Sequence, residues 1–186
     1  MGTWNSRGLR GSSLEEMINH SIEQYKKSGL ALVQKIPTPI TPIRIDKASR
    51  HITLAYFEQK STVDYIGAVQ GIPICFDAKE CGSDCFSLQN IHKHQIAFME
   101  DFERQKGISF FLIYFTARDQ LYYLTKDELD HYLVRAKNGG RKSFRIEELD
   151  EKFFLKDRKG ILVPFLDGIQ LDLSVREHGG DSREDN

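Results

Sequence analysis

The 186-residue chain lacks net charge: 26 Lys and Arg stand against 27 Asp and Glu, a formal balance of -1. That excludes recognition of a partner by bulk charge, so a nucleic-acid binder of this composition must rely on local basic patches. Cysteine is scarce and odd in number, at three residues. With no signal peptide at the start, this points to a reducing compartment. No apolar run approaches the roughly 18 residues of a membrane helix, so no membrane partner is expected. The expected setting is the cytoplasm. Core material is plentiful, with 40% hydrophobic and 11% aromatic residues, enough for one globular domain with a sizeable interior.

Residues 1–11, "MGTWNSRGLRG", are glycine-rich and basic and read as a mobile arm. "SSLEEMINHSIEQYKKSG" reads as a helix. Ser12 and Glu15 have the spacing of a capping box, and Gly29 supplies a stop. Leu14, Met17, Ile18, Ile22 and Tyr25 share one face, Glu15 lies on its border, and Glu16 points away. "LALVQKI" is a short strand. Between about 37 and 58, Pro37, Pro39 and Pro42 punctuate one arm of a hairpin whose turn is Asp46 to Arg50. Prolines keep such a pair off a central sheet, so it is expected to project. Two strands meet near Gly71. A helix over 88–102 carries Leu88, Ile91, Phe98, Met99 and Phe102 on one face. "ISFFLIYFT" and "QLYYLT" are strands, "KDELDHYLVRAKNGG" is a helix, and "GILVPF" and "IQLDL" are short extended pieces. Residues 175–186 form a polar tail expected to be disordered. The succession argues for an α/β domain over 12–174, with a mixed central sheet flanked by helices.

One strand carries charge where a core strand should not. In "VDYIGAVQGIPICFDAKE", alternation puts Asp77 and Lys79 on one face and Ile74, Phe76 and Ala78 on the other. Thr62 and Asp64 share a face of the preceding strand. D-x-K is common on the solvated face of an edge strand. The upstream aspartate favours a site instead: if the strands pair, Asp64 and Asp77 converge, and two close carboxylates repel unless a cation neutralises them. Hard oxygen ligands with room for water suit magnesium or manganese. Lys79 would then place positive charge where negative charge develops at a phosphate. Gln95 sits in the apolar stripe of the 88–102 helix and needs a partner. It reads either as a satisfied core amide or as a side chain reaching back to the carboxylates. Glu15 reads either as the capping-box carboxylate or as a further group near the site. Cys81, Cys85, His92 and His94 match no compact zinc finger, and the two histidines would point about 200° apart on a helix. "GGRKS" follows a helix rather than opening one, so it is no phosphate-binding P-loop. Arg141 and Lys142 remain either a basic loop or a phosphate contact. Arg7 and Arg10, Lys35, and Arg44, Lys47 and Arg50 are further basic groups that together with the hairpin would line a surface of DNA size.

These stretches resemble the PD-(D/E)xK nuclease superfamily, and more closely the RecU-type Holliday junction resolvases of Gram-positive bacteria. The matching pieces are "RGxxLE" at Arg10 to Glu15, "PTPI" at Pro37 to Ile40, "AYF" at Ala55 to Phe57, "STVDY" at Ser61 to Tyr65, "FDAKE" at Phe76 to Glu80, "NIHKHQ" at Asn90 to Gln95 and "GGRKS" at Gly139 to Ser143, in order over nearly the whole chain. The resemblance implies a restriction-endonuclease-like fold with a protruding stalk, the hairpin, that engages the junction centre. It implies a homodimer that cuts four-way DNA junctions with magnesium by paired symmetric nicks, leaving 5′ phosphates. By position, Thr62, Asp64, Asp77 and Gln95 correspond to a magnesium site, with Lys79 stabilising the transition state and Asp64, Asp77 and Glu15 in the catalytic set. Recombinase and branch-migration proteins are the implied protein partners. The chain departs from this pattern in carrying Asp77 where the relatives have Glu, in the loop bearing Cys81 and Cys85, and in lacking most of the long basic N-terminal arm. The rival readings are a duplex-cutting nuclease of the same fold and a non-catalytic junction-binding protein.

Overall fold

The protein is described by a computed structural model covering residues 13–37, 40–57, 62–158 and 160–180. Helix α1 (Leu14–Lys27) leads into β1 (Ala31–Lys35), and a hairpin of β2 (Ile40–Asp46) and β3 (His51–Phe57) follows. Next come β4 (Tyr65–Val69), β5 (Ile72–Cys81), the short β6 (Cys85–Ser87) and α2 (Lys93–Arg104). The second half runs β7 (Ile108–Phe115), β8 (Gln120–Thr125), α3 (Lys126–Lys137), β9 (Ser143–Arg145), β10 (Phe154–Leu155) and α4 (Phe165–Gly180). The central sheet has six strands in the order β1-β4-β5-β7-β8-β10. Only β5 and β7 are parallel, because α2 carries the chain back between them; the other neighbours are antiparallel. The expected mixed sheet flanked by helices is therefore present.

The sheet is held on one face by aromatic stacking. Tyr65, Phe76, Phe110 and Tyr123, from four adjacent strands, stack with centroids 4.7, 4.8 and 4.3 Å apart. Such contacts each contribute about 0.5–1.5 kcal/mol beyond simple burial. Phe165 of α4 meets both Phe76 and Tyr25 of α1, so α1 and α4 close this face together. A side chain at Gly168 would collide with the Tyr123 ring at 2.3 Å. At the other edge Gly67 lets β1 lie against β4, since a Cβ there would sit 2.2 Å from the Leu32 carbonyl.

Several boundaries differ from the sequence expectation. Helix α1 starts one residue late: Ser13 is the cap, with Glu16 N donating to its Oγ at 3.4 Å and Ser13 N donating back to Glu16 Oε2 at 3.1 Å. The capping box is thus Ser13 and Glu16, not Ser12 and Glu15, and Glu15 is released from that role. The helix expected over 88–102 is broken. A 3₁₀ turn at Leu88–Asn90 gives way to extended backbone at Ile91 and His92, and α2 begins only at Lys93. "IQLDL" is helical, not extended: Phe165, Gly168, Ile169 and Asp172 are its buried positions, a helical spacing that the alternation of Ile169, Leu171 and Leu173 disguised. "GILVPF" is irregular rather than a strand, with a single bridge between Arg158 and Ile161. Helix α4 also runs to Gly180, into the segment expected to be disordered from 175. Arg176 anchors it there, donating to Asp172 at 2.8 Å and to Glu103 at 3.0 Å, while Tyr123 donates to the buried Asp172 at 3.1 Å. No helix among the described residues is long and apolar enough to cross a membrane.

The hairpin forms a two-stranded sheet of its own. Its turn is set by Asp46, whose carboxylate accepts from Ala48 N at 3.0 Å and Ser49 Oγ at 2.5 Å. Ile43, Ile45, Ile52, Leu54 and Tyr56 are all exposed, so the pair draws little stability from burial. Its root is closed independently, because Ile36 N donates to the Asp64 carbonyl at 2.8 Å and extends the β1/β4 ladder. Joining residue 37 to residue 63 through a short turn is therefore expected to leave the melting temperature of the body within a few degrees of the full chain. A protein that no longer folds would show that the hairpin supports the sheet.

Candidate functional site

The antiparallel register of β4 and β5 pairs Tyr65 with Phe76, and one more step places Asp64 opposite Asp77. The Asp64 carboxylate is fixed by the backbone N–H of Ala78, which donates to its Oδ2 at 3.1 Å. Val63, beside it, is fully buried and pins the entering strand. Asp77 has no solvent exposure. Lys79, two residues along the same face, brings its Nζ against Asp77 Oδ1 with 18% of its own side chain exposed. From above, Gln95 Nε2 donates to Asp77 Oδ2, and its Oε1 accepts from the His92 backbone N–H at 3.0 Å. Asp77 Oδ1 is buried and, for all the closeness of Lys79, accepts no well-aligned hydrogen bond. Thr62 lies half-buried two residues before Asp64.

A buried carboxylate pays for its isolation from water with a raised pKa. Burial pushes Asp77 up to about 7, and the negative Asp64 adds to the rise while Lys79 opposes it. Burial and the charges of Glu15, Asp64 and Asp77 raise the Tyr65 hydroxyl too. All three carboxylates therefore act on that hydroxyl, although Glu15 stands on α1 and on the other side of the sheet from α2. Glu15 is exposed and pairs with Lys35 at 2.5 Å. Among the described residues no group of three or more His, Cys, Asp and Glu is placed to hold a metal ion. The Gln95 amide turns its NH₂ end, not its oxygen, to the Asp77 carboxylate.

The sequence thus brings Asp64, Asp77, Lys79 and Gln95 together as expected, while Thr62 is placed only by its position two residues before Asp64, ahead of β4. For Gln95 the two readings were not exclusive, since it is a satisfied buried amide whose partner is Asp77. The other basic residues lie apart. Arg44 and Arg50 are exposed on the hairpin, and Arg50 has φ +57° in its turn. Arg141 pairs with Glu148 at 3.2 Å, so it is not a free cation; Lys142 is exposed beside it. Arg7 and Arg10 lie outside the described residues. His92 and His94 do not diverge, because His92 is extended; their rings stack 5.4 Å apart. The Cys81 thiol turns onto Ser83 and Cys85 carbonyls within its own turn.

Sequence reasoning missed Glu80 and Tyr65. Glu80, on the opposite face of β5 from Lys79, accepts from the Leu14 N–H at 2.7 Å and so fixes the start of α1, which carries Glu15. The alternation that separates Glu80 from Lys79 was legible; its partner 66 residues away was not.

The family profile described as recombination protein U (RecU) matches residues 9–171. The Holliday junction resolvase RecU of Pediococcus pentosaceus is 38% identical over 167 residues, covering 87% of this chain and 83% of the relative. That of Limosilactobacillus reuteri is 39% identical over 172 residues (90% and 84%), and that of Bacillus thuringiensis 41% over 146 residues (76% and 73%). Among solved structures, Archaeoglobus fulgidus Hjc, a Holliday junction resolvase, aligns at a TM-score of 0.33 and 6% identity over 60% of this chain and 74% of that one, too slight a likeness to extend the fold comparison. The chain belongs to the RecU family.

The Asp77 shift has a consequence for stability. In the folded protein the carboxyl keeps its proton up to about pH 7, whereas an unfolded chain releases it near about pH 4. The stability it contributes is therefore complete below about pH 4 and is lost as the pH rises through about 7. In chelator, the unfolding free energy is expected to fall by roughly 1–4 kcal/mol between about pH 5 and pH 8 on account of this group. Urea titrations of Asp77→Asn should lack that part of the slope; identical profiles would assign it to other residues.

Proposed function

We propose that the chain is a magnesium-dependent endonuclease that resolves four-way DNA junctions, acting as a homodimer with one site per protomer. The observation that carries this reading is the convergence of Asp64, Asp77 and Lys79 on adjacent strands of a RecU-family chain, with one Asp77 oxygen buried and without an aligned hydrogen bond. Further support is the naming of the relatives as Holliday junction resolvases.

The donors fit a small hard cation. Two carboxylates and a hydroxyl are oxygen ligands, and magnesium is content with one or two protein carboxylates while keeping several waters. Manganese fits the same set. Asp64 and Asp77 would hold the ion, with Thr62 beside them. When bound, it supplies Lewis acidity and a more acidic water for attack on the scissile phosphate.

The chain's own groups do the rest. Asp64 is held rigid by Ala78 N, so its carboxylate needs no reorganisation on binding. Lys79, partly exposed and against Asp77, would present its ammonium where charge develops on a phosphate. The 3′ oxygen leaves and the product carries a 5′ phosphate. A DNA phosphate competes for Lys35 and frees Glu15 to act beside the site. Arg44 and Arg50 place positive charge along the hairpin, which we propose enters the junction, and Lys142 with Arg141, Arg7 and Arg10 adds phosphate contacts. Two sites related by a two-fold axis match paired nicks on a two-fold junction. The cytoplasm is the proposed setting, and recombinase and branch-migration proteins are proposed partners.

The test is nicking of a synthetic four-way junction against a linear duplex of matched sequence, with magnesium or with chelator. The wild type is expected to cut the junction only with the metal, while Asp77→Asn binds without cutting. Lys79→Ala should slow single-turnover cleavage by orders of magnitude at nearly unchanged junction affinity. Equal cutting of both substrates would make the protein a duplex nuclease, and binding with no cutting under any condition would make it a junction-binding protein.

A further inference from the structure

A carboxamide has one end that accepts and one that donates, and both ends of Gln95 are committed. Its Oε1 accepts from the His92 N–H at 3.0 Å, and its Nε2 donates to Asp77 Oδ2. The orientation is fixed by its partners. Turning the amide over would set its NH₂ group against the His92 backbone N–H, donor against donor, and Oε1 against Asp77, which is repulsive whenever that carboxyl is ionised. The side chain is buried, so water offers no cheap replacement for either bond. A cation held by Asp77 would meet the donor end of this amide, which has no oxygen to offer.

The local backbone explains why the arrangement forms. His92 is extended and caps α2, which makes Gln95 the third residue of the helix. From that position a side chain reaches back to the cap N–H. The same residue looks down on β5, so one amide spans helix and strand. From these contacts we propose that Gln95 is a positioning residue and not a metal ligand: it fixes the rotation of the Asp77 carboxylate through Nε2 while its oxygen caps α2. This departs from the ligand set implied by family resemblance. It relies on the cation site proposed above only for where the ion would sit.

The deciding readout is amide hydrogen exchange at His92, which is independent of cleavage. In chelator, Gln95→Leu removes the acceptor, and His92 exchange should rise about five-fold or more, the loss of one net hydrogen bond. Unchanged exchange overturns the proposal. Gln95→Met makes the same comparison if the leucine variant fails to fold. In the wild type, saturating magnesium should leave His92 protection within about two-fold of its metal-free value, since Oε1 stays on the N–H. A fall to the level of the substituted protein would mean that the oxygen has moved to the ion, and it overturns the proposal. If calorimetry shows that magnesium does not bind, the cation reading falls, and the metal-free comparison alone decides the role of Gln95.

Discussion

Burying the Asp77 carboxyl in the middle strand pair of a six-stranded sheet sets the terms for everything around it. Removing an ionised carboxylate from water costs several kcal/mol unless charges and donors replace the solvent. The fold sets three groups around it, each from a different direction: Lys79 along the strand, Gln95 from the covering helix, and Asp64 from the neighbouring strand. The first two compensate the charge and the third makes it worse. An arrangement that adds a second carboxylate to a buried one is poorly explained by stability alone and marks a candidate functional site.

The rest of the architecture serves that placement. The aromatic stack from Tyr65 to Tyr123 keeps the opposite face of the sheet closed, so β4 and β5 hold their register where the carboxylates face each other. Glu80 ties the start of α1 to the strand bearing Lys79, and α1 carries Glu15, the partner of Lys35. The β2/β3 hairpin stands outside this scheme, with its apolar residues exposed and its root closed by a separate hydrogen bond. A buried carboxylate site beside a hairpin that burial does not justify is the division of labour that the proposed junction nuclease would need.

What the sequence disclosed follows from where strict periodicity operates. The period of two placed Asp77 and Lys79 on one face of β5, and the helical period identified the apolar core residues of α1 but not the buried Ser21. The hairpin was legible because its prolines exclude it from a central sheet. The failures have local causes. Ser12 and Ser13 offer two equivalent caps, and only the position of the helix decides between them. The extended backbone at Ile91 and His92 leaves no mark on the apolar pattern, so the helix start and the proximity of His92 and His94 were missed. In α4, alternating apolar residues imitated a strand, and Arg176, which pairs with the buried Asp172, looked like tail polarity. For Gln95, pattern alone revealed a buried amide, but which of its ends faces Asp77 depends on tertiary contacts.

The central claim is that Asp77 is an acid held near neutrality by burial and a neighbouring carboxylate until a cation takes the proton's place. The most direct measurement is a carbon-detected NMR titration of the Asp77 side-chain carboxyl, with and without magnesium. The account predicts a midpoint near 7 in the metal-free protein and a large downward displacement when magnesium is present. A midpoint in the ordinary aspartate range, unmoved by the metal, would contradict it.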